Sequence, residues 1–312
     1  MSEPITPFPH VILSLGTHVV ALVEVRGTDG KPVHPRGAVG EIVQSPGDYR
    51  HSYRVRFLDG FEASFRRQDL AVLSHYKYGT MMRAGIDPVP ESDLYPHVIY
   101  RCVVGSRAYG LDDEASDTDR RGIYLPPAEL HWSLYGVPEQ LENDATQEVY
   151  WEARKFVVMA LKANPNILEC LNSPLVETAT APAQELLAMR DGFLSEMVYQ
   201  TYNGYVMSQF KKLQADLRNK GQVKWKHVMH LLRLLLAGVT ILEEGYVPVR
   251  VGEHRDRLMA IRRREVSLDE CETWRRHLHE RFDRAVERTA LPDRPDYAAA
   301  NAWLLRARRS MV

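Results

Sequence analysis

Apolar and polar positions alternate in short runs over residues 14–74: Val19 to Val25, Val39 to Val43, Tyr53 to Phe57, Phe61 to Phe65 and Leu70 to Leu73. A period of two sends successive side chains to opposite faces, so each run predicts a half-buried strand. Turn signals separate the runs at Thr28-Asp29-Gly30 and Asp59-Gly60, where glycine tolerates the positive φ of a tight hairpin. So many short strands in so little chain predict a small closed barrel, which leaves no strand edge exposed.

Residues 76–97, with Pro88, Pro90 and Pro96, read as a linker. An apolar strand follows at Val98 to Val104, ending at Gly105. Then come a polar loop over 111–119, a strand at Gly122 to Leu125 halted by Pro126-Pro127, and a strand at Glu148 to Trp151. Helical spacing begins at Glu152, and Asn164-Pro165-Asn166 predicts a split into two helices, because proline cannot continue the first. Beyond Ala183 the period is helical nearly throughout: Ala183 to Met189, Leu194 to Lys220, Lys224 to Glu244, Arg255 to Arg264, Ser267 to Glu287 and Tyr297 to Arg309. Ser267 and Glu270 stand in capping-box register. The predicted class is α+β, with domains at 1–78 (β-barrel), 79–183 (mixed sheet and helices) and 184–312 (helical).

Charge adds what the hydrophobic pattern does not show. The whole chain carries 40 Lys and Arg against 41 Asp and Glu, a net charge of −1, so it is no general polycation. Residues 81–180 nevertheless hold 16 acids against 8 bases, and residues 181–312 hold 23 bases against 17 acids. An acidic segment covered by a basic one suits metal ions and polyphosphate held between them. The 3 cysteines lack paired spacing, which suggests neither a disulfide framework nor a zinc site and fits a reducing cytoplasm. Gly16 and His18 interrupt the N-terminal apolar run, and the apolar helix at Leu231 to Leu242 carries Arg233. Neither a leader nor a membrane span is expected.

The chemistry concentrates between Gly105 and Asp119. Residues two apart in a strand share a side, so Asp117 and Asp119 are expected to present both carboxylates to one site. Mg²⁺ takes such hard oxygen ligands and completes its shell with waters and substrate phosphates. Two ions can then clamp the attacking and leaving oxygens of a phosphoryl displacement. Gly105 allows a sharp turn that brings backbone amides to a phosphate, with Ser106 adding a hydroxyl and Arg107 a forked cation. No Lys-Ser/Thr follows Gly110, which excludes a P-loop.

Gly105-Ser106, ten intervening residues, then Asp117 and Asp119 after an apolar strand resemble the signature of the DNA polymerase β-like nucleotidyltransferases. The wider context is similar to a bacterial and phage branch of that superfamily associated with RNA repair. It comprises Gly105 to Tyr124, Lys155-Phe156, Asn164 to Glu169, the helix His230 to Leu235 and Leu291-Pro292. The resemblance spans roughly residues 95–305; the preceding strands resemble SH3-like barrels.

The resemblance implies Mg²⁺-dependent transfer of NMP from an NTP to an acceptor hydroxyl, an RNA end, with release of pyrophosphate. Two Mg²⁺ ions, replaceable by Mn²⁺, would be held by Asp117, Asp119 and a third acid from a neighbouring strand. Glu148 is the first choice for that acid, and Glu152 competes with it, although Glu152 is also explained as an acid favoured at a helix start. Lys226, His230 and Arg233 fall at i, i+4 and i+7 on one helix face. They could cap the nucleotide, or they could be two solvated cations and a hydrogen-bonded boundary histidine. Tyr199, Tyr202 and Tyr205, with Trp225 and Met81-Met82, are read as packing residues, with base stacking by the tyrosines the lesser alternative, and the clusters at Arg262–Arg264 and Arg306–Arg309 as solvated surface, with nucleic-acid contact the lesser alternative. Alternatives to RNA transfer are a protein or small-molecule acceptor, or an adaptor whose incapacitated core only binds nucleotide or RNA. In either case the N-terminal barrel could recruit an RNA-repair partner.

Overall fold

In the computed structural model, which describes residues 12–27, 30–46, 51–77, 89–114, 116–220 and 223–312, the chain divides into two compact units. One comprises residues 1–95 and 129–145, the other residues 96–128 and 146–312. The core and helical segments expected at 79–183 and 184–312 thus share one unit over most of their length, and residues 129–145 fall in the first. Thr28-Asp29, the expected boundary at 78/79, Met81-Met82 and Pro88 lie outside the described residues.

The first unit contains β1 (His18–Ala21), β2 (Val25–Arg26), β3 (Pro32–His34), β4 (Val39–Gln44), β5 (Tyr53–Phe57), β6 (Glu62–Phe65) and β7 (Leu70–Val72). Five of them form an antiparallel sheet in the order β6-β5-β4-β1-β7, and β2 pairs with β3 as a separate hairpin. The alternation in β5 is realised, with Tyr53, Val55 and Phe57 buried and Arg54 and Arg56 exposed. Those three side chains join Val19, Ile42, Phe65, Leu70 and Val72 in one hydrophobic core. Closure is where the expectation departs: β6 and β7 are the two edges of an open sheet among the described residues, and no closed barrel forms. Residues 129–145 add β10 (Gln140–Asn143) to this unit.

The second unit is built on β8 (Val98–Val104), β9 (Asp119–Tyr124), β11 (Glu148–Glu152) and β12 (Val176–Ala179). They run β11-β9-β8-β12, with β9 antiparallel to β8 and parallel to β11. Gly122 lets β9 cross close to β8, since a Cβ there would lie 1.8 Å from the Tyr100 carbonyl oxygen. The split at Asn164 is observed: one helix covers Ala153–Leu161 and the next Pro165–Leu171, with Asn164 accepting from the N–H groups of Asn166 and Ile167. Cys102 and Cys170 are free, buried thiols whose sulfurs lie 3.4 Å apart.

The C-terminal part is helical as expected, over Ala181–Ala188, Met197–Lys220, Trp225–Glu244, Arg255–Arg263, Leu268–Val286 and Tyr297–Arg309. Ser267 and Glu270 complete the capping box. The Trp225–Glu244 helix starts within one residue of the expected Lys224 to Glu244, and it meets the length and hydropathy of a membrane span. However, 78% of its apolar window is buried inside the protein, where it packs against the Met197–Lys220 and Leu268–Val286 helices. That burial is what a core helix requires.

Candidate active site

β8 delivers the chain to Gly105, whose φ of 73° and ψ of −150° suit only glycine. The turn opens a one-turn helix, Ser106–Tyr109, closed by Gly110 in the left-handed region. Because β8 and β9 are antiparallel with Val104 opposite Asp119, the second aspartate of the pair stands directly beside the turn. A Cβ added to Gly105 would lie 3.0 Å from Asp119 Oδ2. The structure therefore brings Gly105, Ser106 and Asp119 together. Asp117 precedes β9 and is exposed, so it is held by its loop, not by the strand alternation expected for both aspartates.

That loop is tied down by arginines. Arg107 donates from Nη2 to the Ser116 carbonyl (2.7 Å) and from Nε to the Asp117 carbonyl (3.3 Å). Its guanidinium is thus engaged with the loop and not left as the free phosphate fork expected. Arg262 donates to the Leu111 carbonyl (2.7 Å) and the Asp113 carboxylate (2.8 Å), and Arg255 to the Gly110 carbonyl (2.8 Å). Ser116 Oγ donates to Asp113 Oδ1 (2.8 Å), closing the turn before Asp117. Arg262 is therefore a loop anchor, contrary to its reading as solvated surface.

Beneath the turn lies a network that sequence spacing only partly revealed. Arg233 Nη1 lies 2.6 Å from Glu169 Oε1, both side chains being 3% exposed, and Tyr109 donates its hydroxyl to Glu169 Oε2 at 2.6 Å. The guanidinium also stacks 3.8 Å from the centre of the Tyr109 ring. Burial opposes the charge on Arg233, but Glu169 restores it and holds its pKa above the usual value. Burial raises the Tyr109 phenol, keeping it a donor. His230 Nδ1 lies 3.4 Å from Arg233 Nη2. Burial, then Arg233, His227 and Lys226, push its pKa well below the ordinary value and leave the ring neutral. Lys226 is exposed. Arg233 thus supports the Ser106–Tyr109 turn from inside, with His230 against it, and the nucleotide-capping role expected of the two finds no free cation at Arg233.

The third acid does not join the pair. In the parallel register Glu148 stands opposite Arg120, and registered residues of parallel strands share a face. Asp119 and Arg121 occupy the other face, joined by a 3.4 Å ion pair, while Arg120 pairs with Glu177 at 2.9 Å. Glu148 is therefore directed to Arg120's side of the sheet, and among the described residues no three acidic, histidine or cysteine side chains converge as a metal site. Glu152 is excluded by its own bonds: it caps the Ala153–Leu161 helix through the N–H groups of Arg154 and Lys155 and pairs with Arg308. Tyr199 bonds Asp283 and packs on Phe282, Tyr202 is buried, and Tyr205 accepts from Asn164, so all three serve packing.

The Asp119 carboxylate beside the glycine turn, with Asp117 exposed in the loop before β9, fits a divalent cation carried with phosphates; among the described residues a complete protein cage is not present. The chain is 31% identical over 156 residues to the uncharacterized protein YcgL of Bacillus subtilis (strain 168), a stretch covering 48% of this chain and 58% of that protein. The chain thus spans little more than half of that curated relative. A family-wide sequence model, RlaP, matches residues 87–306, which include the Gly105 turn, both aspartates and the Glu169–Arg233 pair. With more than half of its length inside that match, the chain belongs to the RlaP family, the RNA repair pathway DNA polymerase beta family, whose general kind is the polymerase β-like nucleotidyltransferase.

Proposed function

We propose that this protein transfers a nucleoside monophosphate from an NTP to an acceptor hydroxyl, an RNA end, releasing pyrophosphate. The observation that carries this reading is the contact between the Asp119 carboxylate and the Gly105 turn. The Gly105-Ser106 turn offers backbone amides and a hydroxyl to the polyphosphate, and Asp117 and Asp119 place negative charge beside it. Bound Mg²⁺ would neutralise the phosphates and polarise the reacting oxygens. Arg107, Arg255 and Arg262 keep the acid-bearing loop in place, and the Arg233–Glu169–Tyr109 network keeps the turn from shifting. Catalysis here is positioning and charge neutralisation, as in other phosphoryl transfers.

A second reading draws on the displaced third acid: with Glu148 on the other face, activation of the acceptor hydroxyl lacks a carboxylate, and the core would bind nucleotide without turning it over. Incubation of the full chain with α-labelled NTPs, Mg²⁺ or Mn²⁺, and RNA, protein or small-molecule acceptors separates the two. Label on RNA that disappears in Asp119→Asn supports transfer. Label only on a protein or small molecule moves the acceptor, and NTP binding with no labelled product favours the adaptor.

A further inference from the structure

The C-terminal ends of the Trp225–Glu244 and Leu268–Val286 helices border a groove of about 430 Å³, lined by Leu242, Glu243, Arg281, Arg284, Ala285 and Arg288. Arg281 and Arg284 stand three apart in the last turns of the Leu268–Val286 helix, and Arg288 lies just past its end and lines the same groove. Glu243 is taken up by Arg281, whose Nε lies 2.9 Å from Oε1. Arg284 and Arg288 are exposed and make no ion pair among the described residues. The groove thus presents two uncompensated guanidinium groups over a neutralised acid, a surface suited to phosphate groups and not to a neutral ligand.

Its distance from the Gly105 turn limits which phosphates it can take. Arg233, under Tyr109, and Glu243, in the groove, lie on one helix ten residues apart, which is about 15 Å along the axis and about a quarter turn around it. A mononucleotide seated at Gly105-Ser106 uses its phosphates there. A strand that rises ~3.4 Å per nucleotide covers the interval in four or five residues. We propose that the groove binds the phosphodiester backbone of the acceptor RNA strand a few nucleotides from its reacting end. This assignment rests on the RNA-acceptor reading above, while its binding chemistry is independent of the metal site.

The test is fluorescence anisotropy of the full chain with a labelled single-stranded RNA of about ten nucleotides, without NTP or metal, so that a failure of transfer is read separately. Arg284→Glu/Arg288→Glu is compared with the charge-matched control Arg294→Glu/Arg309→Glu. The proposal predicts binding at least about tenfold weaker in the groove variant, a log–log salt slope shallower by about 1.4, and a smaller change in the control. All four side chains are exposed, so parental thermal stability is expected. RNA affinity within about twofold of the parent, or a loss no greater than in the control, overturns it. Loss of ATP binding in the groove variant to the same extent as RNA binding also overturns it, by making the groove a free-nucleotide site.

Discussion

Asp119 reaches across from the start of β9 to lie over Gly105 at the end of β8, its Oδ2 3.0 Å from where a Cβ on that glycine would stand. Two strands in antiparallel register produce this contact, and it places a carboxylate against the bend that would carry polyphosphate. Glycine is favoured there by its positive φ, and a Cβ would also press on the Asp119 carboxylate.

Gly105→Ala is therefore expected to cost about 1–3 kcal/mol of stability and to displace Asp119. Thermal melts and α-labelled NTP transfer should both register it. A variant with parental melting temperature and turnover would show that the turn is not constrained as described.

The Arg233–Glu169 pair is buried on both sides, so removing one partner leaves an uncompensated charge. Arg233→Met should lose about 3–5 kcal/mol in urea denaturation, and Arg233→Met/Glu169→Gln should recover part of that loss. Transfer should fall in the single variant as well, because Tyr109 loses its stacked cation.

His230 is held neutral in the folded protein, its pKa well below 6.5. The unfolded chain then binds more protons below about pH 6.5, so this histidine's contribution to stability is present above that pH and is lost as pH falls toward the folded value. His230→Gln should flatten the acid side of the profile by up to about 1.4 kcal/mol per pH unit. Urea midpoints at about pH 7.5 and about pH 5.5, compared with the parent, measure it; an unchanged difference would remove His230 from the account.

Glu148 faces Arg120 and not the aspartate pair. Glu148→Gln should leave transfer within about threefold of the parent, whereas Asp119→Asn should cost about a hundredfold or more. Equal losses in the two would return Glu148 to the metal site.

Much of the fold was legible because local signals decide it. Val98–Val104 and Tyr53–Phe57 were read with their observed limits, and Asn164-Pro165 marked the split between two helices because proline cannot continue the first. β12 was not legible: Val176, Glu177 and Thr178 are exposed on an edge strand, and such a strand carries no apolar alternation. The aspartates and the glycine turn stood out by spacing. The face that Glu148 presents was not legible, because it depends on the strand's register with β9, which sequence spacing does not encode. Glu169 appeared in the quoted motif without a role, since its partner Arg233 is 64 residues away; a buried charge on an otherwise apolar helix was the available signal for such a partner.

The account turns on Asp119 and Gly105 forming one metal-nucleotide site. Titration of a non-hydrolysable NTP into the full chain with and without Mn²⁺, for the parent and Asp119→Asn, measures it directly. The prediction is metal-dependent binding in the parent that weakens at least about tenfold in the variant. Binding that ignores both the metal and the substitution would contradict it.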